Sequence, residues 1–356
     1  MDNKDKSKYN ILIVKPSSLG DIIHTIPAVN LIIEYYSDAE IDWIINPEFQ
    51  DMLTYIPNLD RKIIFQRKDL GNVIKCIPTA LNLIKEIRQK KYDFVFDFQG
   101  LMRSAIFARL ASSNTFIGFD APKEFLASWL YNMRYRSEKK IQHALEKNIS
   151  LVTYFFDKDF KMPQNILPKN IEVNDNIIER LKNKKIESND KLIGIIPGAR
   201  WESKKWPTEF FIDIINKLSK ENSGYKFVIL GAKSELNIAE KILTTVENRN
   251  NIASFVGETN LIELTELIRI TSLILTNDSG PMHIAAALKV KSFVLFGPTD
   301  ADKTGPYGNS NNIYYPETLD CIKCFKRKCP KETTECHNDI NKEKIIKDII
   351  KELSNE

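Results

Sequence analysis

Ser18-Leu19-Gly20-Asp21-Ile22-Ile23-His24-Thr25 follows directly on the apolar run at residues 9–14. A buried strand that breaks at Pro16, turns on Gly20 and enters an amphipathic helix sets the carboxylate of Asp21 at a strand's carboxyl end. Open parallel sheets bind ligands and do chemistry at that edge. Asp21 is then either the helix's first-turn anchor or a base aimed into a cleft. Pro27 lies inside the same helical pattern, so a kink or restart is expected there.

Outward from this segment, strand-like runs alternate with helical patterns, which argues an α/β protein with parallel sheets. In the first half the strands are expected at 9–14, 41–45, 61–65 and 94–96. The stretch 78–90 reads as an amphipathic helix with Ala80, Leu81, Leu83, Ile84 and Ile87 on one side. Residues 162–190 lose the pattern in prolines, asparagines and a lysine cluster, and read as a linker with one short helix. A second series follows, with strands at 192–196, 226–230, 251–254, 272–275 and 292–296. Pro207 opens a helix whose Phe210, Phe211, Ile214, Ile215 and Leu218 form a core-facing stripe. The resulting expectation is two Rossmann-like domains, 1–170 and 171–340, facing across a cleft. A C-terminal helix in 341–356 carries Ile345, Ile346, Ile349 and Ile350 on one side and is expected to pack back on the junction.

Length agrees, since 356 residues exceed one ordinary core. The composition, 43% apolar and 28% charged, is globular. No apolar run approaches the ~20 residues that span a bilayer, and residues 1–8 carry no apolar stretch of a secretory signal, so a cytoplasmic protein is expected. The net charge of +4 is modest, but residues 61–91 concentrate Arg61, Lys62, Arg67, Lys68, Lys75, Lys85, Arg88, Lys90 and Lys91 against Asp69 and Glu86. This is either a solvated helix face or a basic lip for an anionic substrate or membrane surface. It lacks the interleaved aromatics of a nucleic-acid surface. Cys321, Cys324, Cys329 and Cys336, with His337 adjacent, read either as a metal clip or as reduced thiols in a C-terminal loop.

Phosphate signatures narrow the chemistry. No G-x-G-x-x-G follows a strand, and the P-loop-length segment at 297–304 has Asp302 where the second glycine belongs. The segment Thr276-Asn277-Asp278-Ser279-Gly280-Pro281-Met282-His283 is a better phosphate site: Asp278 or Ser279 caps a helix and Gly280 lets an anion approach free N–H groups. His283 lies one turn below Ser279; the alternative is an ordinary cap with a satisfied histidine. Without a G-x-S-x-G elbow, a serine nucleophile is not expected. In Pro197-Gly198-Ala199-Arg200-Trp201-Glu202-Ser203-Lys204-Lys205-Trp206-Pro207, Arg200 or Lys204 could neutralise a diphosphate; the alternative is a tryptophan-pinned loop with exposed lysines.

Together these segments resemble the bacterial heptosyltransferases, the family-9 glycosyltransferases, and within them the heptosyltransferase I branch. The resemblance is carried by Val14 through Ala28, by Asp97-Phe98-Gln99-Gly100-Leu101-Met102-Arg103-Ser104-Ala105, by Leu126-Ala127-Ser128 and Gln142-His143-Ala144, and by Asn277 through Ala287 followed by Phe296-Gly297-Pro298-Thr299-Asp300. It implies a GT-B fold, an acceptor domain followed by an ADP-sugar domain, and inverting transfer of L-glycero-D-manno-heptose from ADP-heptose to a Kdo residue of Kdo-lipid A. Asp21 is implied as general base, Lys204 at the donor diphosphate or ribose, Glu235 at the ribose and Thr259 near adenine through its backbone, with Arg200 standing at the diphosphate as read above. Asp278, Ser279, Gly280 and His283 would surround diphosphate and heptose, and Arg67, Lys68 and Arg103 the anionic acceptor.

The resemblance further implies no cofactor, no metal, no nucleic acid, a monomer, and transient contact with the cytoplasmic face of the inner membrane. Ala199 and Arg200 depart from the heptosyltransferase I pattern, and Pro197-Gly198-Ala199 is similar to that of heptosyltransferase II. That enzyme, or another ADP-sugar transferase with a different acceptor, is the alternative. From another class, the alternative is a non-catalytic zinc- and RNA- or membrane-binding protein.

Overall fold

Asn10–Val14 (β1) is buried over four of its five residues. Such a strand has no solvent face and belongs in the middle of a parallel sheet covered on both sides. The computed structural model bears this out. It describes residues 8–137, 140–141, 143–162, 165–168, 174–187, 189–308 and 311–355. The chain divides into two units, Met1–Leu167 and Pro168–Glu356. The domain limit expected after residue 170 falls among residues 169–173, outside the described residues, as does Gln142.

In the first unit β1 is joined by Glu40–Ile45 (β2), Leu59–Ile64 (β3), Phe94–Asp97 (β4), Phe116–Phe119 (β5) and Met133–Tyr135 (β6) in the order β3-β2-β1-β4-β5-β6. All the pairings are parallel. The chain leaves β1 into helices Leu19–Ile23 (α1) and Ile26–Tyr35 (α2), broken between them, with Pro27 in the first turn of α2. The restart expected from that proline is therefore present. Arg67–Leu70 (α3), Cys76–Ile87 (α4), Met102–Arg109 (α5) and Ala144–Phe156 (α6) complete the unit.

The second unit repeats this topology. Lys191–Ile196 (β7), Tyr225–Ile229 (β8), Ile252–Ser254 (β9), Leu273–Asn277 (β10), Lys291–Leu295 (β11) and Asn311–Tyr314 (β12) lie in the order β12-β11-β10-β7-β8-β9, again all parallel. Its helices are Asp175–Asn183 (α7), Thr208–Glu221 (α8), Leu236–Thr245 (α9), Leu261–Arg269 (α10), Gly280–Leu288 (α11), Ala301–Thr304 (α12), Glu335–Asn338 (α13) and Lys342–Ser354 (α14). In each sheet the winding direction reverses once, between β1 and β4 and between β7 and β10. Connections diverge there and leave a crevice at the strands' carboxyl ends, the usual ligand position in such sheets.

Three expectations change. The short strands β5, β6 and β12 were not anticipated: three or four residues, one of them Gly118 and two of them Asn311 and Asn312, carry little periodicity. Leu81 is exposed, and the core side of α4 is Leu83 and Ile87 with Ala80 and Ile84 beside them. The apolar side of α14 is Ile345, Ile346, Ile349 and Leu353, which join the second unit's own core with α8 and β7–β11, while Ile350 only flanks it. Among the described residues no helix is long and apolar enough to cross a membrane. Because Ile349 is fully buried, Ile349→Ala is expected to cost about 2–5 kcal/mol of stability, read from urea unfolding, and the half-buried neighbour change Ile350→Ala distinctly less.

Candidate active site

At the reversal in the first sheet the exits of β1 and β4 are tied together. The Lys15 ammonium is buried and donates to the Phe98 carbonyl at 2.9 Å, Phe98 N donates to Val14 O at 3.2 Å, and Ser17 N donates to Gln99 Oε1 at 3.4 Å. Asp97, fully buried, anchors the β4 turn. It accepts from Gln99 N at 2.8 Å, Gly100 N at 3.2 Å, Ser104 Oγ at 2.9 Å and Tyr131 Oη at 2.7 Å. Gly100 sits at φ +67° with Pro122 3.0 Å from where a Cβ would stand, so this turn needs a glycine. Burial pushes the Asp97 carboxyl up, and those four donors act against it. It is a structural carboxylate.

Asp21 is the first-turn anchor of α1. Its Oδ2 accepts from Ser18 N at 3.0 Å and Ser18 Oγ at 2.9 Å, closing the first turn of α1. Its Oδ1 lies 3.9 Å from Lys15 Nζ and 3.7 Å from Lys123 Nζ, with the side chain a quarter exposed. Burial pushes this carboxyl upward. The two ammoniums and the Ser18 donors outweigh it and hold Asp21 well below the usual carboxylate range. One oxygen is thus structural and the other is turned to the charged rim. Lys15, depressed chiefly by burial and supported by Asp21, was present in the quoted segment but not singled out. Lys123 comes from the β5 exit, and no local pattern marks it.

Of the other residues that carry the resemblance, His24, Thr25 and His143 have a packing role. Asn148 on α6 donates to His24 O at 3.1 Å and Thr25 Oγ1 at 3.0 Å, and the His24 and His143 rings meet at 4.8 Å. The break between α1 and α2 is thereby fixed on the α6 start. Of the acceptor cations, Arg67 and Lys68 are exposed on α3 after β3, with Lys68 3.8 Å from Glu48. Arg103 is exposed in the first turn of α5 after β4, where a cation opposes the helix dipole.

In the second unit the named residues occupy four neighbouring strand exits. After β10, Asn277 donates to Pro197 O at 2.7 Å and accepts from Trp206 N at 3.2 Å, joining the exits of β10 and β7. Asp278, buried, pairs with Lys204 Nζ at 2.5 Å and accepts from the Thr299 hydroxyl. Lys204 also lies over the Trp201 ring. The lysine expected at a diphosphate is thus held by the aspartate expected beside it. Ser279 starts α11 without capping it through its side chain, its Oγ being 3.3 Å from Thr276 Oγ1, and His283 is buried one turn on. Arg200 is exposed on the same loop as Lys204.

After β8, Glu235 folds back over Gly198. A Cβ there would stand 1.8 Å from Glu235 Oε1, and Glu235 Oε2 accepts from Ala232 N at 2.9 Å. Burial raises the Glu235 carboxyl. After β9, Thr259 is half-buried just before α10, and Gly257 N donates to Gly231 O at 3.0 Å, linking these two exits. The segment 297–304 is no phosphate loop: Asp300 caps the four-residue α12 and pairs with Lys323 at 2.8 Å.

The cysteine-rich segment buttresses the Lys204 turn. Ser203 Oγ donates to Lys326 O at 2.5 Å, Ser203 N to Arg327 O at 3.3 Å, His337 Nε2 meets Ser203 O at 2.8 Å, and Trp206 Nε1 donates to His337 O at 2.5 Å. Cys321, Cys324, Cys329 and Cys336 are free thiols lining one cavity of about 50 Å³. Burial and the other three sulfurs push Cys336 up to about 11. Among the described residues no three His, Cys, Asp or Glu side chains are grouped to hold a metal ion.

The fold of two doubly wound units is matched in known proteins. The profile of glycosyltransferase family 9 (heptosyltransferase) matches residues 80–335. The chain belongs to that family. It is similar to lipooligosaccharide heptosyltransferase 2 of Campylobacter jejuni, 28% identical over 342 residues covering 94% of this chain and 96% of the relative. It is also similar to lipopolysaccharide heptosyltransferase 1 of Pseudomonas aeruginosa, 26% identical over 331 residues covering 91% and 88%. Among solved structures, E. coli heptosyltransferase WaaC with ADP superposes with a TM-score of 0.75 at 21% identity, covering 96% of this chain and 99% of that one. The chain is a family-9 glycosyltransferase, and these two relatives bear different heptosyltransferase numbers at nearly equal identity.

The Asp21 environment makes a specific prediction. Carbon NMR of its side-chain carboxyl is expected to show it ionised throughout the ordinary aspartate range, and Lys123→Ala is expected to move its midpoint upward. A midpoint unmoved in that variant would remove Lys123 from the site's electrostatics.

Proposed function

We propose that this glycosyltransferase moves L-glycero-D-manno-heptose from ADP-heptose to a Kdo residue of Kdo-lipid A, in lipopolysaccharide core synthesis at the cytoplasmic face of the inner membrane. The observation that carries the donor reading is the row of strand exits β10, β7, β8 and β9. Their three steps of ~4.8 Å span about 14 Å, suited to a nucleoside diphosphate laid along the edge. Asp278–Gly280 and Lys204 at the reversal meet the diphosphate and sugar, Glu235 the ribose and Thr259 adenine, with Arg200 and His283 flanking the phosphates.

The reaction is a direct displacement. The acceptor hydroxyl oxygen attacks the anomeric carbon, its proton passes to Asp21 Oδ1, and the bond from that carbon to the β-phosphate oxygen breaks, releasing ADP. A weakly basic carboxylate suffices, because the hydroxyl becomes acidic only as the new bond forms. An anionic acceptor that draws Lys123 from Oδ1 strengthens the base as it binds. Negative charge grows on the departing β-phosphate, where Lys204 and the start of α11 supply preorganised stabilisation. Arg67, Lys68 and Arg103 meet the acceptor's carboxylate and phosphates.

Incubating the protein with ADP-heptose and either Kdo-lipid A or its mono-heptosylated product, with and without EDTA, tests this by product mass. One heptose added to Kdo-lipid A, undiminished by EDTA, is expected. Transfer only to the mono-heptosylated acceptor would assign the second heptose instead, and loss with EDTA restored by Mg²⁺ would contradict the metal-free scheme.

A further inference from the structure

The turn between α3 and α4 exposes apolar side chains that a folded chain ordinarily hides. Val73 is 94% exposed, Ile74 87%, and Ile77 and Leu81, a turn apart on α4, 69% and 61%. The turn is held in shape: Asn72 Oδ1 accepts from Ile74 N at 2.9 Å and Lys75 N at 3.2 Å, and Cys76 N donates to Asn72 O at 2.8 Å. A second apolar outcrop, Phe125 and Trp129 at 67% and 68%, stands on the turn after β5. Both turns follow strands that leave the sheet on the edge where Asp21 follows β1 and Arg103 follows β4. Clustered apolar exposure of this kind marks an interaction surface.

Charge identifies the partner. Residues 67–88 carry five lysines and arginines against two carboxylates, while Lys90 beyond them is paired with Glu40 and Asp60. On α4 the exposed series Ile77, Leu81, Lys85 and Arg88 runs along one stripe, apolar at the start and cationic at the end. At 1.5 Å per residue, Lys85 lies about 12 Å along the axis from Ile77. Apolar side chains seated roughly 5–10 Å into a bilayer leave such cations at the level of lipid phosphates. A protein partner would call for no such grading along the helix.

We propose that the turn at residues 71–77, with the outer stripe of α4 and the turn at 125–129, is a docking surface for an anionic lipid bilayer. It seats the acceptor edge of the first unit on the membrane that holds the acceptor's acyl chains, and to that extent rests on the function proposed above.

Flotation with vesicles tests it. The full-length protein is expected to float with vesicles containing phosphatidylglycerol and to be released by salt. Ile74→Asp with Ile77→Asp is expected to bind about tenfold or more weakly, as loss of two apolar insertions implies, with unchanged thermal unfolding. The same variant is expected to lose transfer to vesicle-embedded acceptor while keeping transfer to a deacylated, water-soluble acceptor. Wild-type protein that fails to float, or a variant that floats equally well, would overturn the inference. So would a wild-type dimer that the substitutions convert to a monomer without any vesicle binding, which would give the surface to a second copy. Absence of transfer to either acceptor, with flotation intact, would instead refute the proposed function and leave the docking surface standing.

Discussion

The buried ammonium of Lys15 is the contact on which the first unit's site depends. It spans the sheet reversal, with Nζ on the Phe98 carbonyl of the β4 exit and 3.9 Å from Asp21 on the β1 exit. A buried lysine is costly unless its charge is matched and hydrogen-bonded; here Asp21 matches the charge and the Phe98 carbonyl takes a hydrogen bond. The same contact keeps Asp21 ionised in a partly buried setting. Without it, only Lys123 and the Ser18 donors would oppose the upward push of burial on that carboxyl.

The second unit solves the converse problem with the same topology. Asp278 and Lys204 form the buried pair at the β10/β7 reversal, and the pair is shaped from outside by the Cys321–Cys336 segment through Ser203 and His337. In the proposed scheme an arriving diphosphate takes the place of the Asp278 carboxylate at Lys204, and the α11 N–H groups donate to its remaining oxygens. Glu235, tucked over Gly198, shows how tightly the neighbouring exits are packed. A single added methyl group at Gly198 would displace the carboxylate proposed for the ribose.

Much of this was legible in the residues. The largely buried strands β1, β7 and β10 announce themselves as apolar runs, and Pro27 announces the break after α1. Asp21, Asp97 and Asp278 each stand at a strand exit that the alternation predicts. What periodicity could not convey is partnership between distant segments. Lys123 reaches Asp21 from the far side of β5, Asp278 is paired with Lys204, and Tyr131 closes on Asp97. Nor could it distinguish an apolar residue facing the core from one facing out, which is why Leu81 was read onto the wrong side of α4. The isoleucines of α14 were recognised as one face, but only the three-dimensional packing on α8 shows what that face covers.

The central claim is that Asp21 removes the proton from the incoming hydroxyl. Asp21→Asn tests it most directly, since an amide oxygen can still accept from Ser18 but cannot take a proton at the reaction's pH. Rapid-quench single turnover of that variant with ADP-heptose and acceptor should show transfer slowed by about 10²–10⁴-fold, while calorimetry shows ADP bound as in the wild type. Near-normal single turnover in Asp21→Asn would contradict the account.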